Sequence, residues 1–283
     1  MIPGNEYQVP EGYHDQPWIY VYDGDALTNG QDYLCIQVPV NDADFHLRRV
    51  AGRPTIAGKI QLRRDAAPFF ATDSGVVMPP DWVIVPEKVF KVGSAISIDL
   101  FTVLKAQNAD QAETIQYPQL VFQGVRRWPG PQKYPMPATY KYKEKFWSYE
   151  VDVTIDWDGG LDPQPHRFFQ DVQDYDFELR RITAVTKTKG QSDVFWTPWG
   201  EWKMMLFDQN RNQLMSAPVM DYFLLDNNDG IPGFNDYNSV FPIPAVLYPT
   251  GSQIMFELTS LILGSDLDAT YQLRFEGARR VRL

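Results

Sequence analysis

The residues with the most evident chemical potential are carboxylates that lie among aromatic side chains in one short stretch of the chain. Two carboxylates about 5 to 10 Å apart can cleave a glycosidic bond, and aromatic rings beside them could stack on the sugar. The acids are Glu150, Asp152, Asp156 and Asp158, and the aromatic residues are Trp147, Tyr149 and Trp157. Glu150 and Asp152 alternate with apolar residues, as the solvent-facing side chains of a strand do. We therefore favour a surface strand over a catalytic pair.

Other catalytic patterns are absent from the sequence. The histidines, His14, His46 and His166, lie far apart, and none has the spacing of a metal site. The chain has neither a Gly-x-Ser-x-Gly nucleophile elbow nor a glycine-rich phosphate loop. The sequence therefore predicts a protein that is not an enzyme, with no catalytic residue, no cofactor and no metal site.

A stronger signal is a set of arginine doublets that recur within repeated blocks. The doublets are Arg48-Arg49, Arg126-Arg127, Arg180-Arg181 and Arg279-Arg280. Three blocks recur in the same order: 44–50 as 176–182, 93–100 as 251–258, and 120–127 as 273–280. Blocks that keep their order but change their spacing are what duplication followed by loop insertion produces. The chain is thus predicted to contain one fold twice.

The doublets allow two interpretations. Successive side chains of an extended strand point to opposite faces, so one arginine of each doublet must leave the core side or cap its rim. In the first interpretation, which we favour, the guanidinium groups bind Asp44, Asp176 or other acids and close each sandwich. In the second, they reach a neighbouring subunit. The candidate interface residues that follow from the second interpretation are Arg126, Arg127, Arg279 and Arg280.

Large aromatic side chains supply further interface candidates. Trp196, Trp199 and Trp202 lie within one short segment, 194–202, whose aromatic residues cannot all enter one small core. Side chains of this kind that stay near the surface are typical of interface anchors or sugar platforms. Tyr222 and Phe223 belong to segment 221–239, whose Asn, Asp and Gly content indicates a long surface loop. We expect these aromatic residues to contact a protein partner, with a glycan as the alternative.

Alternation of apolar and polar residues dominates the chain and sets its fold class. A period of two is typical of half-buried strands, and 19 glycines and 22 prolines divide the strands into short segments. The predicted fold class is all-β, with two tandem, internally duplicated, jelly-roll-like β-sandwich domains. The predicted boundaries are an N-terminal arm over 1–17, a first domain over 18–131, and a second domain over 132–283 with an inserted loop over 221–239.

Charge and hydropathy exclude several partners. The 283 residues carry a net charge of -10 and have a pI near 4.8. Such a chain lacks the concentrated positive surface that binds nucleic acid. No apolar run approaches the length of a membrane span, and the first residues show neither part of a signal peptide. We therefore expect no nucleic-acid partner, no membrane partner and synthesis in a cytoplasm.

The repeated blocks resemble sequences of a known kind of protein. Asp-Phe-x-Leu-Arg-Arg-Val/Ile, Gly-Ser-x-Ile-x-Ile/Phe-Asp/Glu-Leu and Leu-x-Phe-x-Gly-x-Arg-Arg are similar to blocks in structural proteins encoded among the virion genes of tailed bacteriophages. The resemblance covers both copies. It implies a non-enzymatic virion protein, made in the host cytoplasm and assembled as a capsid decoration, a minor capsid protein, or a tail or baseplate component.

The partners implied by this resemblance are major capsid or tail proteins and other copies of the chain. The surplus aromatic residues and the acids near Trp147 leave a second function open. In that alternative the chain is a host-attachment module that binds or cleaves a glycan.

Overall fold

A computed structural model describes the segments of the chain that form its sheets. The described residues are 9–23, 34–52, 58–64, 67–71, 82–102, 119–130, 141–155, 165–188, 202–220, 246–260 and 269–283. Regular structure within these ranges consists of sixteen β-strands, β1 to β16, so the all-β prediction is confirmed. None of the described segments forms a helix with the length and apolar character needed to cross a membrane.

The strands fall into two groups of eight. The first group is β1 (Tyr13–Asp23), β2 (Leu34–Pro39), β3 (Asp44–Gly52), β4 (Gly58–Arg64), β5 (Ala67–Ala71), β6 (Trp82–Phe90), β7 (Ala95–Thr102) and β8 (Gln119–Pro129). The second group is β9 (Tyr142–Ile155), β10 (His166–Asp171), β11 (Asp176–Thr188), β12 (Trp202–Leu206), β13 (Val219–Met220), β14 (Val246–Tyr248), β15 (Gln253–Ser260) and β16 (Ala269–Arg282).

Each group forms two four-stranded sheets with the same strand order. The orders are β1-β8-β3-β6 and β2-β7-β4-β5 in the first group, and β9-β16-β11-β14 and β10-β15-β12-β13 in the second. Every strand of the second group is therefore the counterpart of the strand eight places before it. Eight antiparallel strands in these two sheets form a jelly roll. The prediction of two duplicated, jelly-roll-like sandwiches is confirmed.

Each sandwich has a hydrophobic core to which counterpart residues contribute. The fully buried aromatic residues are Phe45, Phe90 and Phe122 in the first sandwich and Phe177, Tyr248, Phe275 and Phe256 in the second. Val38 and Ile96, from the other sheet, complete the first core. Because residues from both sheets share one cluster, burial of these rings holds the two layers of a sandwich together.

A β-bulge interrupts the same point of both sandwiches. The pairing of β3 with β8 skips Arg48, and the pairing of β11 with β16 skips Arg180. The buried apolar residues are Phe45, Leu47 and Val50 in β3 and Phe177, Leu179 and Ile182 in β11. The extra residue shifts the alternation by one, so both arginines of each doublet lie between core positions. In β3 and β11 the bulge is therefore the means by which the arginine leaves the core side.

A glycine lies opposite each bulge and lets the strands approach closely. Gly124 of β8 and Gly277 of β16 occupy these positions. A Cβ atom on Gly124 would overlap the carbonyl oxygen of His46, and one on Gly277 would overlap that of Glu178. Any side chain at either position would force two backbones apart.

The strands can be compared with the predicted boundaries. β1 begins at Tyr13, so residues 13–17 of the predicted arm pair with β8. Residues 1–8, the segment 131–140 and the predicted loop 221–239 lie outside the described residues.

Counterpart phenylalanines should contribute similarly to the stability of their sandwiches. Phe45→Ala and Phe177→Ala each remove a fully buried ring that meets a tyrosine edge to face. We expect each change to lower the free energy of unfolding by about 3 to 5 kcal/mol, because apolar burial is lost and a cavity remains. Urea unfolding measures the loss. Phe169→Ala is the control, since this ring is 47% exposed; an equal loss there would contradict the core assignment.

Candidate functional site

The arginine doublet of β8 divides between the two faces of its sheet. The guanidinium carbon of Arg126 lies 3.2 Å from the centre of the Trp18 ring. The same group donates to the Tyr20 hydroxyl (3.5 Å) and pairs with Asp42 (3.2 Å). That hydroxyl also accepts from the N–H of Asn41 at 3.1 Å and donates to its carbonyl at 3.2 Å. Arg126 therefore caps the rim of the first core through a cation–π contact.

The second sandwich repeats this cluster with counterpart residues. The guanidinium carbon of Arg279 lies 3.5 Å from the centre of the Trp147 ring. The group donates to the Tyr149 hydroxyl (3.4 Å) and pairs with Asp174 (3.6 Å). The clusters differ in exposure, because Trp147 is 40% exposed and Trp18 only 7%. The surroundings of the two tryptophan rings are therefore not equivalent.

On the outer face of the first sheet, an ion-pair network joins all four strands. Arg127 donates to Asp15 through Nε (2.7 Å) and Nη2 (2.9 Å). Arg48, on the bulge, donates to Asp15 (3.3 Å) and Glu87 (3.1 Å), and His46 Nδ1 lies 2.7 Å from Glu87. The hydrogen bonds to Asp15 raise the pKa of Arg127 against the opposing effect of burial. The doublet thus supplies one arginine to the core rim and one to this network.

The second sandwich has a corresponding network. Arg180 pairs with Glu144 and with Glu178, both at 2.8 Å. Arg280 pairs with Glu178 as well. The side chains of Arg280 and Glu178 are nearly inaccessible to solvent, and such buried charges are stable only when they are paired.

The two networks differ in the strand that supplies their second carboxylate. In the first sandwich that group is Glu87 of β6, beside His46 of β3. In the second, β11 has Glu178 at the position of His46, and the repeat places Ala245 at the position of Glu87. The carboxylate lies on a neighbouring strand, so each network keeps its acidic partners although the sequence has changed at both positions.

A long connection in the second sandwich docks on the edge of the first. Residues 207–218 join β12 to β13, whereas only residues 65–66 separate β4 from β5. The N–H of Ile19 in β1 donates to the carbonyl of Leu214 (3.0 Å), and the N–H of Ser216 donates to the carbonyl of Ile19 (2.9 Å). The connection therefore extends the first sheet beyond its edge strand.

Apolar side chains reinforce this docking. Ile19, Val21 and Val121 project from the first sheet into the hydrophobic core of the second sandwich, where Met215 belongs to the same cluster. The N–H of Val21 also donates to the hydroxyl of Ser216 (2.9 Å). The two sandwiches are therefore joined by shared apolar burial as well as by backbone hydrogen bonds.

The counterpart surface on the second sandwich is polar. Val21 faces Val121 across β1 and β8, and the counterparts Glu150 and Arg274 face each other across β9 and β16. Glu150 and Arg274 form an exposed ion pair at 2.8 Å. The candidate acid Glu150 is thus half of a surface ion pair, at a position where the first sandwich buries a valine.

A cleft of about 660 Å³ lies between the docked connection and the Trp18 stack. Its lining residues are His14, Gln16, Trp18, Arg126 and Trp128 from the first sandwich and Phe207, Arg211, Asn212 and Gln213 from the second. Trp128 Nε1 donates to Gln16 Oε1 at 3.2 Å. The second sandwich therefore faces Trp18 across this cleft.

The other candidate chemical groups among the described residues lie in different parts of the structure. Asp152 is exposed on β9, and Asp156 and Asp158 lie outside the described residues. His14 lines the cleft, His46 belongs to the ion-pair network and His166 begins β10. Within the described part of the chain, no group of three or more histidine, cysteine or acidic residues could hold a metal ion.

The candidate interface residues fall into two sets. Trp196, Trp199, Tyr222 and Phe223 lie outside the described residues, and Trp202 is the first residue of β12. The four arginines, Arg126, Arg127, Arg279 and Arg280, all have partners within their own sandwich.

Asp44, one of the acids that we expected to pair with the doublets, has a different role. It accepts from Lys91 Nζ (2.6 Å) and from the N–H of Val92 (3.0 Å), and so fixes the turn between β6 and β7. Although partial burial acts to raise it, the pKa of Asp44 is lowered by these two hydrogen bonds.

Sequence reasoning missed two parts of this arrangement. One is the Trp-x-Tyr pair that opens each copy, Trp18 with Tyr20 and Trp147 with Tyr149; its repetition ahead of the first block was a usable signal. The other is the docking of connection 207–218 on β1. The signal for this docking was that the valines Val21 and Val121 of the first copy are replaced by Glu150 and Arg274 in the second.

Comparisons with known proteins add one finding. No protein-family model matches this chain, and no curated protein matches it. Among solved structures, the chain is similar to the crystal structure of the infectious bursal disease virus VP2 subviral particle. The sequence identity is 9% and the TM-score 0.22, over 96% of this chain and 73% of that chain.

The equivalence of the two networks can be tested by moving the second carboxylate of the first network from β6 to β3, the counterpart of β11. Glu87→Ala removes a carboxylate from Arg48 and His46, so we expect the free energy of unfolding to fall by about 1 to 3 kcal/mol. Adding His46→Glu, the residue of the second copy, should recover most of this loss, because it places a carboxylate near the same arginines. Urea unfolding of the parent and the variants measures the coupling.

The matched control is Glu150→Ala. It removes a glutamate whose ion pair with Arg274 is half exposed on both sides, and exposed pairs contribute less than about 1 kcal/mol. A double variant as unstable as Glu87→Ala alone would show that the two networks are not equivalent.

Giving the first sandwich the polar residues of the second should weaken the contact between them. The changes are Ile19→Ser, Val21→Glu and Val121→Arg, made together. Full burial of an aliphatic side chain contributes about 1.5 to 3 kcal/mol, so we expect the sandwiches to unfold independently and connection 207–218 to become sensitive to protease. Calorimetry and limited proteolysis report these changes. Parent-like behaviour in both assays would mean that the apolar contact does not hold the sandwiches together.

Proposed function

We propose that this chain is a non-enzymatic structural component of a tailed-bacteriophage particle. It is incorporated through repeated protein–protein contacts, as a capsid decoration or minor capsid protein or as a tail or baseplate component. The observation that carries the proposal is the tandem jelly roll, because virus shells are among the assemblies for which this sandwich is used. The resemblance of the repeated blocks to phage structural proteins narrows the proposal from viruses in general to tailed phages.

The use of charged residues supports a structural role. Arg127, Asp15, Arg48 and Glu87 bind one another across four strands, and Arg126 is stacked on a ring. Paired in this way, the groups fix strand register and hold the sheet edge. A protein that takes part in a large assembly benefits from such rigid sheets, because little conformational freedom is then lost on binding.

The start of β9 is the surface best suited to a protein partner. β9 is an edge strand, like β1, but the β1 edge carries connection 207–218. Phe146 is 76% exposed and Trp147 40% exposed, and Lys143 and Lys145 beside them are exposed as well. Glu144, between the two lysines, is exposed but pairs with Arg180. A basic, aromatic strip on a chain of net charge -10 is complementary to an acidic surface. We assign this strip to the contact with a neighbouring virion protein.

Proteomics of purified particles tests the proposal. We expect the chain to be present at a fixed ratio to the major capsid protein. A chain that is found only in the host cell lysate, or at a variable ratio, would overturn the proposal.

A pair of variants tests the assigned surface. Phe146→Ser should leave the melting temperature nearly unchanged, because the ring is mostly exposed, and should reduce incorporation into particles when the variant is the only copy supplied. Phe169→Ser is the control, since it removes another exposed ring from the same sandwich. Normal incorporation of Phe146→Ser would remove β9 from the interface.

A further inference from the structure

The cleft between the sandwiches is lined by residues that the jelly roll does not require. His14, Gln16 and Trp128 have as their counterparts Lys143, Lys145 and Val281. The second sandwich forms the same sheet with those quite different side chains. The imidazole, amide and indole groups of the cleft are therefore better explained by what they face than by the fold.

The opposite wall of the cleft is held rigidly in place. The carboxylate of Asp208, only 2% exposed, accepts from the N–H groups of Asn210 and Asn212 (both 2.8 Å) and from Asn212 Nδ2 (3.1 Å). The Tyr248 hydroxyl donates to the carbonyl of Phe207 at 2.6 Å, and burial raises the pKa of Tyr248, so that it remains a donor. A wall fixed in this way is preorganised for a ligand.

Arg211 occupies an unusual position at this wall. Its φ angle of 64° lies in the left-handed region, which asparagine or glycine adopts at lower cost. The side chain is exposed, and no acceptor within the described segments binds its guanidinium. Arginine therefore does not stabilise the turn, and the positive charge that it places at the cleft is the better explanation for an arginine at this position.

A polar group on the other wall lacks a partner. Trp18 Nε1 is buried and has no hydrogen-bond acceptor among the described residues. Arg126 Nε is also buried without an acceptor. The same is true of its counterpart, Arg279 Nε, so the stacking of each guanidinium group on a tryptophan ring accounts for both. No buried, unpaired indole N–H is found at Trp147, so this group distinguishes the first sandwich, and a bound oxygen that reached it would satisfy it.

We propose that this cleft binds an acidic sugar residue of a glycan, such as a sialic or uronic acid. Arg211 contributes an exposed positive charge from one wall, and Arg126, which already pairs with Asp42, lies on the other; the described lining residues include no carboxylate. The guanidinium group of Arg211 can bind a carboxylate through charge-assisted hydrogen bonds. This inference goes beyond the structural role proposed above and does not depend on it.

The remaining lining residues suit a sugar ring and its hydroxyl groups. Asn212 and Gln213 are exposed, and side-chain amides both donate and accept, as hydroxyl groups do. Trp128 offers a half-buried ring whose orientation is fixed by its hydrogen bond to Gln16. Hydroxyl groups are thus recognised by amides while the apolar face of the sugar packs on an indole.

Other acidic ligands fit less well. A peptide strand would need free backbone groups, but the N–H of Leu214 donates to Leu206 (3.0 Å) and its carbonyl accepts from Ile19. The phosphate of a nucleotide such as AMP carries about two negative charges at neutral pH, and a chain of net charge -10 repels it more strongly than it repels a single carboxylate.

Calorimetric titration of the full chain tests the proposal. The probes are sialyllactose and a glucuronate-containing tetrasaccharide, with lactose as the neutral comparison and an acidic hexapeptide and AMP as the alternative ligands. We expect at least one acidic saccharide to bind, and lactose, the peptide and AMP to bind about tenfold more weakly or not at all. High salt should weaken the binding, because an ion pair carries part of it.

Variants locate the site. Arg211→Asn, whose side chain tolerates the left-handed backbone, and Trp128→Leu should each weaken saccharide binding about tenfold or more. Lys145→Asn and Trp147→Leu are the matched controls, since they remove a cation and a stacked indole from the second sandwich; both should bind like the parent. Unchanged melting temperatures verify the fold of each variant.

Several results would overturn the assignment. They are no binding of either acidic saccharide to the parent, equal binding of lactose, tighter binding of the peptide or AMP, or equal losses in the cleft variants and their controls.

Discussion

At Gly124 and Gly277 one strand comes so close to a carbonyl group of the next that no side chain fits between them. The bulge opposite each glycine inserts one residue and shifts the alternation of β3 and β11. Three core side chains per strand then reach the interior, while both arginines of the doublet remain outside it. The core, the outer ion-pair network and the register of the central strands all follow from this one backbone approach.

Comparison of the two copies distinguishes the residues that the fold requires from those found in one copy alone. Both copies keep the glycine, the bulge, the arginine–tryptophan stack and two arginines on the outer face. They differ at Glu87, whose carboxylate has a functional equivalent on the neighbouring strand in the second copy. The network can keep its geometry while its residues change, because a guanidinium group needs a carboxylate within hydrogen-bonding distance and the strand that supplies it does not matter.

Divergence between the copies also created the asymmetry of the molecule. Val21 and Val121 of the first sandwich are buried against the second, whereas the counterpart pair, Glu150 and Arg274, is exposed and charged. An apolar patch at the same place on the second sandwich would be a surface on which a further copy could dock head to tail. The exposed pair Glu150–Arg274 occupies that place instead.

Much of the fold could be predicted because its determinants are local. Period-two alternation indicated strands, and repeated blocks such as 44–50 and 176–182 indicated two copies, and the strand orders agree with both. The site was less predictable. The doublets were recognised as a repeated feature, but Asp15, Glu87 and Glu178 were not identified as their partners. Asp15 and Glu87 are distant in sequence from the arginines that they bind, and Glu178, although close to Arg180, also binds Arg280, which lies 102 residues away.

The sequence by itself therefore determined the class of secondary structure, the duplication and the positions of the arginines. Alternation and repetition can be read along one strand at a time. Only the tertiary structure decided that Arg126 stacks while Arg127 forms ion pairs, that a bulge cancels the alternation at Arg48, and that connection 207–218 covers β1. These outcomes depend on register and on contacts between segments up to about two hundred residues apart, which are set by packing and hydrogen bonding across strands and not by the order of residues within one.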